Sequence, residues 1–251
     1  MKKWSVLIIA VLTVLCLSVC HAEGTFDPAA VAVGDIVTFG HYEQDNDLEN
    51  GPELIEWIVL DVQDGKALLL SKYGLDAEPY NKDRVNPGCV WETCTLRSWL
   101  NNEFLDSAFS EQEQQAVLLT DVDNSEAQGF SKWGTTGGKN TKDKIFLLSY
   151  AEANRYLGIQ LCGEEGADQN LKSRAAPTAY AVARGAWANK DYLTADGEAT
   201  GWFWFLRSPG DDGQEYTAIV NFDGSLGYVD VYYEYGVDRP ALWLNMESET
   251  F

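Results

Sequence analysis

Two Asp-Gly pairs, Asp64-Gly65 and Asp223-Gly224, most constrain how this chain can fold. Each lies between two runs rich in apolar, β-branched and aromatic residues. The first joins Leu54-Ile-Glu-Trp-Ile-Val-Leu-Asp-Val62 to Lys66-Ala-Leu-Leu-Leu-Ser71. The second joins Tyr216–Phe222 to Ser225–Tyr233. Glycine accepts the positive φ that a two-residue hairpin turn demands, so both pairs predict hairpins. Asp35–Tyr42, Trp202–Leu206 and Pro240–Leu244 read as further strands. Helical patterns lie between them. Leu96, Trp99, Leu100 and Phe104 share one helical face. Ser110-Glu-Gln-Glu113 is a capping box opening a helix towards Leu119. Ser149-Tyr-Ala-Glu152 is another, and Gly158 is a natural stop for its helix. The polar, Gly-rich stretch Asp121–Lys144 predicts an exposed loop, and Ile145–Leu148 a short strand. Cys162–Gly201 carries no clear pattern. Strands at both ends and helices in the middle give an α+β order with mixed and antiparallel sheets, not alternating βαβ units.

The N-terminus has the form of a secretory signal. Lys2-Lys3 precede an apolar run of 16 residues, Trp4–Val19, and Cys20-His21-Ala22 follows. The run is short for a membrane span, and Ala22 offers a cleavage site. Val19 is not the small residue that normally precedes a lipidated cysteine. The expected organisation is a signal peptide over 1–22, a short N-terminal segment over 23–33, one α+β domain over 34–245 and a tail over 246–251. The mature protein would be secreted, periplasmic or held at the cell surface, with no membrane span.

Charge narrows the partners. The chain has 18 Lys+Arg against 39 Asp+Glu, a formal net charge of −21. Such a surface repels phosphate backbones and anionic lipid heads, so nucleic acid is not an expected partner. Removal of the signal leaves His41 as the one histidine, and Cys89, Cys94 and Cys162 as the cysteines. One imidazole is too little for a His-rich zinc site, and no metal or cofactor is expected. Export permits disulfides. Cys89 and Cys94 could close a short loop; three thiols allow three single pairings, and Cys162 reads as a free or buried residue.

The block Trp202-Phe-Trp-Phe-Leu-Arg-Ser-Pro-Gly210, followed by Val237-Asp-Arg-Pro-Ala-Leu242, resembles the WWLRSPG…GVRPAL signature of a family of exported bacterial domains of unknown function. Phe39-Gly40-x-Tyr42, Glu56-Trp57-x-Val59-Leu60 and Leu96-Arg97-x-Trp99-Leu100 are similar to that family too. Asp238 departs from the pattern as an extra residue before Arg239. The resemblance implies a distantly C-type-lectin-like fold, like that of the formylglycine-generating, sulfatase-modifying group. In such folds the chain ends meet in one sheet.

The candidate ligand-binding residues are Trp204, Arg207, Asp211, Asp212 and Arg239. Trp202 and Trp204 share one face of a strand, and flat rings of this kind stack on sugar faces while neighbouring acids accept hydroxyl protons. The opposing reading buries both faces and makes Arg207 a structural charge paired with a carboxylate. The acidic loop Asp45-Asn-Asp-Leu-Glu-Asn-Gly51 has a calcium flavour, but Asn50 stands where an EF-type loop needs glycine. No catalytic residues are assigned. A triad would have to use His41 alone, and no G-x-S-x-G occurs. The expectation is a non-catalytic module binding an extracellular glycan or surface protein. The alternatives are a carboxylate-based hydrolase, a sulfatase-modifying-like oxidase, or a purely structural envelope domain.

Overall fold

Asp64 and Gly65 both take positive φ, 50° and 71°. The chain therefore reverses there as its Asp-Gly pair predicts. The computed structural model describes residues 30–84, 88–211 and 213–250. The expected signal peptide, Asp212 and Phe251 lie outside the described residues. Strand β1 (Ile36–Tyr42) pairs antiparallel with β2 (Glu53–Gln63), which turns at Asp64-Gly65 into β3 (Lys66–Ser71). Alternation along β2 buries Ile55, Trp57 and Val59. A register shift between Val59 and Asp61 then lets Leu60 turn inward as well. A second irregularity falls in β1 at Gly40, φ 72°. A Cβ there would stand 2.5 Å from the Phe109 ring, so only glycine fits.

A continuous helical stretch follows, made of α1 (Thr95–Trp99), a π turn (Leu100–Phe104) and α2 (Leu105–Ala108). Its buried face is Leu96, Leu100, Phe104, Leu105 and Ala108, while Trp99 is only half-buried. Helix α3 (Glu111–Ala116) opens on the expected capping box: Glu113 N donates to Ser110 Oγ, and Ser110 N donates to the Glu113 carboxylate. The helix stops at Ala116, short of Leu119, because Val117 leaves to bridge Leu244.

The stretch expected to be an open loop carries paired ends, β4 (Thr120–Val122) and β5 (Thr141–Asp143). These three-residue strands are too short and polar to show periodicity. What holds them is Asp143, a buried carboxylate bound by Arg97 Nε at 2.7 Å, Trp91 Nε1 at 2.9 Å and Thr141 Oγ1 at 2.6 Å. Then come β6 (Ile145–Phe146) and α4 (Tyr150–Leu157), whose capping box and left-handed Gly158 (φ 69°) are as expected. The patternless region resolves into α5 (Ala179–Ala183), capped by Thr178, and a hairpin of β7 (Ala188–Leu193) and β8 (Ala199–Gly201). The last strands are β9 (Phe203–Pro209), β10 (Tyr216–Asn221), β11 (Leu226–Asp230) and β12 (Ala241–Asn245).

The main sheet has the order β1-β2-β3-β12-β6, so strands from both ends of the chain lie side by side, with Ala241 opposite Leu70. A second sheet, β11-β10-β9, is antiparallel throughout. The architecture is mixed α+β with mostly antiparallel sheets. Among the described residues no helix is long and apolar enough to cross a membrane.

Candidate functional site

Strand β9 is buried at all seven positions. That corrects the expectation that its aromatic face is open to a ligand. Trp204 is 2% exposed, and its Nε1 donates to the Ser173 carbonyl at 2.8 Å. Arg207 is equally buried. Its guanidinium donates to Asn124 Oδ1, the Leu147 and Asp123 carbonyls and both oxygens of Glu152. Arg207 is thus the structural cation of the opposing reading, and Glu152 both caps α4 and neutralises it. The physical reason is that β9 is enclosed: α4 packs against it, Val237 bridges Trp204 along its edge, and the Ser173 carbonyl receives the Trp204 indole. Alternation in sequence cannot separate a paved groove from a strand buried on both sides. Asp211 is half-buried just beyond β9.

Arg239 has a different environment. It is 1% exposed, and its charged carbon lies 5.0 Å from the Trp204 ring centroid. Nε donates to the Ser71 carbonyl at 2.8 Å, but Nη1 is buried without a hydrogen-bond partner. Burial pushes its pKa down to about 9, which still leaves the group cationic at neutral pH. Arg239 lines a cleft of about 490 Å³. This volume lies in the range of small-molecule sites.

The cleft wall is built by the fold. Strands β1 and β2 contribute Ile36 and Ile58, and the end of α4 contributes Tyr156 and Leu157. Leu171 and Val33, both exposed, stand at its edge. Lys72 follows β3 and is tied to Glu56 at 3.2 Å and Asp196 at 3.6 Å. Arg174 donates to three main-chain carbonyls, those of Asp223, Leu193 and Asp168, and so pins the β7–β8 hairpin beside the cleft. The turn of that hairpin supplies Thr194, Asp196 and Glu198 to the lining.

Exposed rings flank the same hairpin, Trp187 and Trp202 at its two ends and Tyr235 beside them; of these, sequence reasoning missed Trp187 and Tyr235. Trp187 is 54% exposed, Trp202 36% and Tyr235 39%. Ring centroids lie 4.8 Å apart for Trp187–Tyr235 and 5.8 Å for Trp187–Trp202. Phe222 continues the row to Tyr192. Trp202 was legible as an aromatic of the signature block; its exposure follows because it precedes β9 and bonds to Trp187 instead. Trp187 and Tyr235 lie in segments without periodicity, where nothing in sequence could mark them.

Two acidic groups complete the picture. Carboxylate oxygens of Glu43, Asp45 and Glu53 lie within 4.8 Å of one another. The loop engages two of the three: Gln44 N donates to Glu53, and Asp47 N and Asn50 Nδ2 donate to Asp45, while Glu43 Oε1 is buried without a hydrogen-bond partner among the described residues. Deep inside, Asp76 and Asp238 are each 1% exposed and bridge through their backbones. Asp76 accepts from Tyr42 Oη at 2.5 Å, Arg184 Nε at 3.1 Å and Ala77 N at 2.7 Å. Asp238 accepts only from Glu78 N, and its Oδ1 has no partner. Burial, then the neighbouring Asp76 charge, raises the Asp238 pKa well above the carboxylate range. Cys89 and Cys94 are buried free thiols, the latter capping α1 through Arg97 N; Cys162 is free and exposed.

No curated protein and no solved structure matches the chain. Residues 64–246, from the first Asp-Gly turn to just past β12, match a family described as a domain of unknown function, DUF6273. That match covers well over half of the sequence, and the chain belongs to this family.

Proposed function

We propose that the protein is an exported, non-catalytic binding module that receives part of an extracellular ligand, a glycan or surface protein, in the cleft over Arg239. The observation that carries this reading is the buried Nη1 of Arg239, a charged donor without an acceptor in the lining of a ligand-sized cleft. A buried polar group left unpaired costs free energy, so a site that retains one is poised for an acceptor. The exposed rings of Trp187, Trp202 and Tyr235 extend along the hairpin that borders the cleft, and would hold the part of the ligand that projects from it. Export is supported by the signal-like N-terminus. The meeting of both chain ends in one sheet, with a small second sheet beside it, supports a C-type-lectin-like arrangement. A carboxylate-based hydrolase is less well served, since the one closely buried acid pair, Asp76 and Asp238 among the described residues, is sealed from solvent.

A glycan array probed with wild type, Leu171→Glu and Trp187→Ala tests the reading. Both positions are exposed, so the fold should survive. The expected result is a hit that each substitution weakens at least tenfold with little change in melting temperature. A hit that both variants retain at full strength places the ligand elsewhere and overturns the proposal.

A further inference from the structure

We propose that the group taken by the cleft is a carboxylate carried on an apolar body, with the carboxylate on Arg239 and the body against Tyr73, Tyr156 and the aliphatic wall. The inference rests on the preceding reading of the cleft as the ligand site and names the chemistry that the site selects.

Charge is the first argument. The chain as a whole is strongly acidic, yet among the described residues the cleft lining holds four cations, Lys72, Lys172, Arg174 and Arg239, against two carboxylates, Asp196 and Glu198. Lys72 is already neutralised by Glu56 and Asp196, and Arg174 is spent on main-chain carbonyls. The charged donors left for a ligand are those of Arg239 inside, with Lys172 exposed at the rim. Burying an uncompensated charge is costly, and an anion arriving at Nη1 removes that cost.

Geometry selects the anion. The guanidinium is fixed from two sides, by the Ser71 carbonyl on Nε and by the Trp204 ring against its face. What it offers is one planar edge. That edge can hold two oxygens of an anion; a carboxylate is then fully met, whereas a phosphate keeps further charged oxygens unpaired. The wall selects the remainder. Ile36, Ile58, Leu157 and Leu171 present aliphatic surface, and the rings of Tyr73 and Tyr156 flank it. Such a lining rewards burial of an apolar body and gives a strongly hydrated anion little in return.

The test is isothermal titration of the intact protein with phenylacetate, its neutral isostere phenylacetamide, and inorganic phosphate. Phenylacetate is expected to saturate one site, with phenylacetamide at least tenfold weaker. Arg239→Lys keeps the charge but loses the planar edge, and should weaken phenylacetate about tenfold without affecting the amide. Leu171→Glu, at a rim position 46% exposed, should weaken the acid more than the amide and guards against a folding defect at the buried site. If the amide binds as tightly as the acid, the carboxylate assignment falls while the cleft remains a binding site. Phosphate competing as strongly as phenylacetate overturns it equally. If no probe binds, this inference fails, and the glycan array decides the reading beneath it separately.

Discussion

Replacing Asp238 with asparagine should flatten the pH dependence of stability. Asp238 is fully buried, receives one hydrogen bond, from Glu78 N, and has an unpartnered Oδ1. The charges around it are Asp76, Glu78 and Arg184, and the Tyr42 hydroxyl is committed to Asp76. Asp76 has three donors including Arg184 and Asp238 has one, so the proton of the pair is assigned to Asp238. Burial first, and Asp76 second, raise its pKa in the folded state. The protonated form therefore favours folding. Its contribution is complete below the unfolded carboxyl pKa, about 4, and is lost as pH rises towards the raised folded value. In that window one proton separates folded from unfolded chain. Linkage then gives a loss of about 1.4 kcal/mol per pH unit across that window. Asparagine has the same shape and no charge at any pH. Any constant offset from its amide cancels when slopes are compared. Urea unfolding of wild type and Asp238→Asn from pH 5 to 8 measures the difference. The expected result is a stability difference that shifts steadily in favour of asparagine as pH rises. Parallel curves would refute the assignment of the proton to Asp238.

Three further outcomes follow from the same structure. Arg207→Met removes five hydrogen bonds and leaves Glu152 unpaired; because Glu152 is 30% exposed and can rehydrate, the loss should be near the lower end for a broken buried pair, about 3 kcal/mol, read as a drop in Tm on the order of 6–12 °C. Gly40→Ala brings a Cβ to 2.5 Å from the Phe109 ring and 2.7 Å from the Ala108 carbonyl at a positive φ, and should cost about 1–3 kcal/mol in chemical denaturation; an unchanged midpoint would show that β1 can shift there. Ellman's reagent should modify Cys162 promptly in the folded protein, and Cys89 and Cys94 only after unfolding, since both are buried and burial raises the thiol pKa of each; rapid reaction of all three contradicts that burial.

The elements that were legible in sequence are those whose signal is local. Asp64-Gly65 and Asp223-Gly224 carry their turn geometry in two residues, and the boxes at Ser110 and Ser149 carry theirs in four. The π turn at Leu100–Phe104 was invisible as such, because inserting one wider turn leaves the apolar face continuous. Strands β4 and β5 escaped because their reason for existing is Asp143, whose partners Arg97 and Trp91 are 46 and 52 residues away. The hairpin β7–β8 escaped for a similar cause. Its place is set by Arg174 reaching the Leu193 carbonyl and by Trp202 N bonding to the Trp187 carbonyl, and neither contact leaves a periodic trace.

The candidate site shows the sharper division. Arg207 and Arg239 stand in the two halves of one signature, have nearly equal burial, and were named together as ligand-binding residues. Sequence has no means to tell them apart, since both are arginines beside apolar runs. Hydrogen bonding does. Arg207 spends its donors on Glu152, Asn124 and two carbonyls, and its neighbour Ser208 links the Gln128 carbonyl to Tyr150 N, so this half of the signature joins β9 to α4 and the loop before it. Arg239 uses Nε for Ser71 and leaves Nη1 unanswered beside a cleft. A cation satisfied from within stabilises a scaffold and gains nothing from a ligand. One left unsatisfied destabilises the free protein slightly and gives the difference back when an anion arrives. The same residue type in one motif can therefore serve two ends, and the count of unmade hydrogen bonds decides which arginine a ligand would find.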